Sequence, residues 1–216
     1  MLTPNVAGFF RKARADSGLA EQVRNTGSYQ ALAELSERAG DPVPAGELRA
    51  AFTARNAGVL ARHMMRRGAL DASPLPPVPP MDRDVWSRVA SMDLSPVVLQ
   101  LVNYQGWTED RARAAEHRYR RFFYLKATMP EGKASPTPEV DEFWHQHIIN
   151  TERYGPDCQR VAGRFFHHTF LSPDDPADAR ELSDVWLSTW VRYEALFEEP
   201  YEETVGAALL ERWPNV

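Results

Sequence analysis

Apolar residues recur every three to four positions along most of the chain, the spacing of helices that bury one face. After the cap-like pair Thr3-Pro4, Val6, Phe9, Phe10 and Ala13 share a face. Leu19, Ala20 and Val23 mark a second short helix. Ser28 opens a third, with Leu32 and Leu35 buried and Gly40 beyond its end. Pro42 and Pro44 then turn the chain into a longer helix carrying Leu48, Ala51, Phe52 and Val59. The pattern stops at Ala69 to Asp82, where five prolines favour an extended, stiff spacer. It resumes with a short helix over 84–90. Ser95-Pro96 is another cap-plus-Pro start and leads into VVLQLV, which fits a helix or a short buried strand. Thr108, followed by Glu109 and Asp110, opens a long helix through Thr128. Its stripe is Ala112, Ala115, Tyr119, Phe122, Phe123 and the stem of Lys126. Thr137-Pro138-Glu139 opens the next helix. A last one, over 177–198, buries Leu182, Val185, Trp186, Trp190, Tyr193 and Phe197. The expected architecture is all-α: a small helical domain over 1–68, a Pro-rich linker over 69–82, and a larger helical domain over 83–216.

Composition narrows the class. Hydrophobic residues make up 43% of the 216-residue chain and aromatics 11%, enough for a packed core. No apolar run reaches the roughly 18 residues of a membrane span. The first residues place their basic groups after an apolar patch, the wrong order for a secretory signal. One cysteine makes no internal disulfide, so a reducing cytoplasm is expected. The net charge of -5 argues against a nucleic-acid partner. Charge is also uneven. Up to Ala72, ten basic residues face seven acidic ones, a net of +3; the remainder carries fifteen against twenty-three, a net of -8. No Gly-rich phosphate loop occurs, so no nucleotide cofactor is expected.

Groups able to bind metal or move protons concentrate between Pro138 and Thr169. Four of the six histidines (His145, His147, His167 and His168) lie there with Cys158, the only cysteine. His63 reads as a surface residue and His117 as a surface or bridging one. On a helix, Val140, Phe143, Trp144 and His147 share the buried face, while Asp141 and His145 lie four apart on its flank. That spacing lets a carboxylate orient the imidazole. His145 and His147 are two apart and differ by about 200° in direction, so they cannot both reach one ion on a regular helix. One is expected to act in the chemistry and the other in a supporting network. Gly155-Pro156-Asp157 is expected to end this helix. A second, antiparallel helix would then return Cys158 and His167-His168 toward His147. The expected roles are acid–base for His145, Asp141 and Tyr154, and metal ligation for His147, Cys158, His167 and His168. That ligand mix suits zinc or iron. The alternative is a structural motif: a core histidine hydrogen-bonded to an acid beside Trp144, with Cys158 a small buried hydrophobe. A Cys–His nucleophile pair lacks any accompanying oxyanion-hole pattern.

Two resemblances bear on function. FFRKARADSGLAEQV, LAELSERAGDPVPAGELRAAF and RNAGVL resemble the Nif11 family of leader peptides of ribosomally made, modified peptides. This implies a docking or leader-like module, although the chain beyond it holds six tryptophans and is no ordinary core peptide. VDEFWHQHI and YGPDCQRVAGRFFHH, with YRRFFYLK upstream, resemble the glycine-rich-domain-protein-like family and its D-x-x-W-H-x-H signature. That resemblance implies a helical domain with Asp141, Trp144, His145, His147, Tyr154, Cys158 and His168 as the family-like positions, and no particular reaction. Together they imply a metal-dependent accessory or tailoring protein of a peptide-modification pathway. Its partners would be a peptide-modifying enzyme or a peptide substrate. The alternatives are a non-enzymatic interaction module and a chain that is itself modified.

Overall fold

The computed structural model describes residues 3–52, 78–169, 172, 174–201 and 205–211. In chain order its α-helices are α1 (Pro4–Ala15), α2 (Ser17–Arg24), α3 (Tyr29–Arg38), α4 (residues 45–52), α5 (Arg83–Ala90), α6 (Ser95–Tyr104), α7 (Glu109–Thr128), α8 (Pro138–Ile149), α9 (Thr151–Ala162), α10 (Pro176–Phe197) and α11 (Val205–Glu211). The fold is all-helical, with no strand among the described residues, and VVLQLV belongs to α6. No helix among them is long and apolar enough to cross a membrane.

The chain divides into two compact units, residues 1–76 with 197–216, and residues 77–196. In the first, side chains satisfy the helix starts as their identities suggest. Thr3 accepts from the amide of Val6, Asp16 from Gly18 and Leu19, and Ser28 from Ala31. Val6, Phe9, Phe10, Leu32, Leu48 and Phe52 form its core, joined by Leu209 and Leu210 of α11. The Arg14 guanidinium donates to the Leu210 carbonyl at 2.8 and 3.2 Å. Gly206 is the residue that admits this helix. Its amide donates to Thr26 O at 3.0 Å, and a Cβ there would sit 1.7 Å from the Val23 carbonyl oxygen. Helix α11 therefore packs with the N-terminal helices. The expected end of the fourth helix with His63, and linker residues 69–77, lie outside the described residues.

The second unit is arranged around α7, which α5, α6, α8 and α9 all contact. The first half of α7 buries a stripe, Ala112, Ala115 and Tyr119. From Arg121 to Lys126 every residue is buried, so this half is an axis with neighbours on all sides. Helix α8 begins at Thr137, whose hydroxyl accepts from Val140 N at 3.4 Å, with Pro138 in the first turn. Thr137 is itself buried. Thr137→Ala should lower unfolding stability by about 1 kcal/mol, the usual worth of a side-chain cap. Urea denaturation reads this directly, and an unchanged midpoint would mean the cap contributes nothing.

The break after α8 differs from the expectation of a stop at Gly155-Pro156-Asp157. It falls at Asn150 (φ -80°, ψ 69°), and Pro156 lies inside α9. Proline there removes one bond to the carbonyl four residues back. Both Pro156 and Glu152 are exposed, so the loss falls on the solvated face. The buried face of α9, Tyr154, Cys158 and Val161, keeps its register against the core.

Candidate functional site

The residues singled out between Pro138 and Thr169 separate into an inner and an outer group. The divide is the one that the 145/147 spacing demands. His147 is fully buried and its Nδ1 lies 2.7 Å from the Tyr119 hydroxyl. Its Nε2 is 3.3 Å from Asp157 Oδ2, an ion-pair distance without hydrogen-bond alignment. The rings of Tyr119, Phe123 and Tyr154 surround it. Burial raises the Asp157 carboxyl, but His147 and Arg160 outweigh it and hold the group below its usual range.

Tyr154 ties this interior to the next segment. Its hydroxyl accepts from Trp144 Nε1 at 3.0 Å and donates to the Phe166 carbonyl at 2.6 Å. Burial, with Cys158 alongside, pushes its phenol well up, so it remains a neutral hydrogen-bonding group. Cys158 is buried too, and desolvation raises its thiol despite hydrogen bonds involving Phe166 and Tyr154. It is a thiol rather than a thiolate at neutral pH.

The outer group is Asp141, His145 and His168. Their donor atoms all lie within 4.8 Å of one another, the one such trio of His, Cys, Asp or Glu among the described residues. His168 Nε2 is 3.1 Å from Asp141 Oδ1, and His145 Nδ1 is 3.4 Å from Asp141 Oδ2. His145 Nδ1 also sits 2.7 Å from the Asp141 backbone carbonyl. If Nδ1–H donates there, the lone pair is on Nε2, the tautomer a metal ligand needs. The side chains of Asp141, His145 and His168 are 33%, 47% and 31% exposed, so they are accessible and able to rotate. A tetrahedral zinc with ligands at about 2.1 Å holds its donors about 3.4 Å apart, a spacing inside the 4.8 Å over which the three donor atoms lie. The His168 ring packs at a tilt against Trp144, with centroids 4.7 Å apart. The Trp144–Tyr154–Phe166 hydrogen bonds therefore hold the strip that presents His168. His167, exposed, packs on Phe165 and stands apart from the trio, as do His147 and Cys158. Of the expected metal ligands only His168 belongs to it. Asp141 and His145, expected as acid–base groups, supply the other two donors.

A groove of about 670 Å³ opens beside this trio, lined by Asp141, Trp144, His168, Phe166, Lys126 and Arg164 among others. Its size is that of a small-molecule site. Lys126 was legible only as part of the α7 stripe; a lysine at a fully apolar position of a buried helix was the available signal. Desolvation, with Arg164 nearby, brings its ammonium down to about 8.

Residues 89–183, which hold the trio and most of the groove, match a family model described as UCP032817-like. No curated protein and no solved structure matches the chain. Neither a Nif11-like nor a glycine-rich-domain-protein-like model matches, so the expected fusion of those two families is not supported. The physical reason is that both resemblances rest on short strings. Amphipathic three-to-four spacing with polar caps is common to any small helical bundle. A W-H-x-H string on a helix serves a buried and an exposed histidine at once, whatever its family.

Proposed function

We propose that the protein is a transition-metal protein whose centre is Asp141, His145 and His168, and that the adjoining groove receives the molecule on which the metal acts. The observation that carries this reading is the convergence of one carboxylate and two imidazoles from α8 and from the segment after α9. Two histidines and one carboxylate leave coordination positions open, which suits iron(II) or zinc and permits activation of water or a bound substrate. The inner group belongs to the scaffold: Tyr154 holds the His168 segment through Trp144 and Phe166, and His147 fills the core behind it. The groove has room for a short peptide, but without support for the Nif11 resemblance no peptide-modification pathway is assigned to it. A reducing cytoplasm is the compartment we propose, resting on the lone, buried Cys158.

The test is metal stoichiometry and affinity on untagged protein. Wild type should hold about one zinc or iron(II) per chain. Asp141→Ala, His145→Ala and His168→Ala should each weaken binding by at least about a hundredfold, since even outer-shell changes reach that. Their melting temperatures should stay near wild type, because all three side chains are partly exposed. Cys158→Ser and His167→Ala should keep the metal. Wild type without measurable affinity, or loss of metal in Cys158→Ser alone, sinks the proposal.

A further inference from the structure

Lys126 is only 7% exposed, yet no carboxylate among the described residues pairs with its ammonium. Nζ lies instead over three rings, 4.7 Å from the centroid of Trp144, 5.8 Å from Phe166 and 5.9 Å from Phe122. Arg164, another cation, lowers its ammonium further rather than pairing with it. The Arg164 Nη2 donates to the Lys126 carbonyl at 3.1 Å, and its guanidinium lies 5.6 Å from the Phe166 ring. The acids around the groove are engaged elsewhere. Glu131 and Glu181 both hold Lys133, at 3.0 and 2.9 Å, and Asp141 faces the two histidines.

A cation drawn out of water without a counter-ion is costly, and ring quadrupoles offset only part of that cost. The buried Lys126 ammonium, with the exposed Arg164 guanidinium beside it at one end of the groove, therefore forms a place where an anion is stabilised. We propose that this end of the groove binds the carboxylate of a small organic acid, with Lys126 and Arg164 holding the charge and Trp144 and Phe166 flanking the apolar body. The walls decide the class. A phosphate dianion needs several converging donors. Here the ammonium is ringed by aromatic faces, which suit one carboxylate attached to an apolar group. In calling such an acid the substrate, the inference rests on the metal reading above; the binding itself does not.

Isothermal titration with sodium benzoate on the full chain tests it, with benzyl alcohol and inorganic phosphate as comparison ligands. Lys126→Met is the variant, because methionine keeps the stem packing without the charge. Each protein is titrated with chelator present and again with zinc. Saturable benzoate binding is expected in chelated wild type, weakened at least about tenfold in Lys126→Met, with benzyl alcohol bound no better than that variant binds benzoate. No benzoate binding, equal binding by folded Lys126→Met, or equal binding of benzyl alcohol overturns the inference. Phosphate binding in preference to benzoate overturns the assignment to a carboxylate. Benzoate binding by a wild type that takes no zinc retains the carboxylate subsite and sinks only the metal reading.

Discussion

His147→Ala should destabilise the protein by about 3–5 kcal/mol, combining a core truncation with the loss of a buried hydrogen bond. The imidazole is wholly enclosed and touches Tyr119, Phe123 and Tyr154, so alanine leaves a void that the surrounding rings fill only in part. The Tyr119 hydroxyl loses its 2.7 Å partner inside the core. Burial, with Tyr154, Cys158 and Asp157 nearby, pushes the Tyr119 phenol well up, so it cannot escape the deficit by ionising. Asp157 keeps Arg160 at 2.6 Å, which limits the damage on that side. Urea denaturation of wild type and variant at neutral pH measures the difference. A loss below about 1 kcal/mol would show that the core closes over the site or that the hydrogen bond adds little. Metal bound to the folded fraction should be unchanged, which separates His147 from His145 two positions earlier.

Tyr154→Phe should cost about 2–4 kcal/mol although it opens no cavity. The ring stays; only the oxygen that accepts from Trp144 Nε1 and donates to Phe166 O is lost. Trp144 is almost fully buried, so its indole N–H is stranded away from water, as is the Phe166 carbonyl. The same change unties the strip carrying His168, two residues beyond Phe166, so metal affinity should fall by about tenfold, the lower range for groups that orient a ligand. Denaturation and metal titration on the same preparation separate the two effects. Stability lost with affinity intact would make Tyr154 a core residue only. Affinity lost with stability intact would mean that the hydrogen bonds matter to the site but not to the fold.

Local features of the chain proved readable in detail. The caps at Thr3, Ser28, Thr108 and Thr137 stand where side-chain chemistry puts them, because a cap is decided within four residues, whereas Ser95, expected as a cap, is the first residue of α6 and Leu94 before it makes no side-chain bond. The buried stripe in the first half of α7, Ala112, Ala115 and Tyr119, follows from periodicity alone, whereas the burial of Arg121, Tyr124 and Leu125 beyond it does not. The opposition of His145 and His147 also follows from periodicity. The meeting of Asp141 with His168 does not, for the two are 27 residues apart and the chain between them must break, run and return. That path turned on Asn150, which carries no strong stop signal, while Gly155-Pro156 carries one and is overridden by the packing of Tyr154, Cys158 and Val161. Periodicity could place Lys126 on an apolar stripe, but could not say that its ammonium would meet rings and no acid. Likewise nothing local in VGAALLE announces that its partner is Val23 rather than a nearer segment.

The return of α11 to the first helices makes residues 77–196 an insertion: one compact body is nested, in reading order, within another. A ribosome therefore delivers the second unit whole before it delivers the last helix of the first. Until residues 205–211 emerge, the core of Val6, Phe9 and Leu32 lacks Leu209 and Leu210, and Arg14 lacks the carbonyl that it holds in the finished fold. Of these two units, the one begun earlier is thus the one completed later.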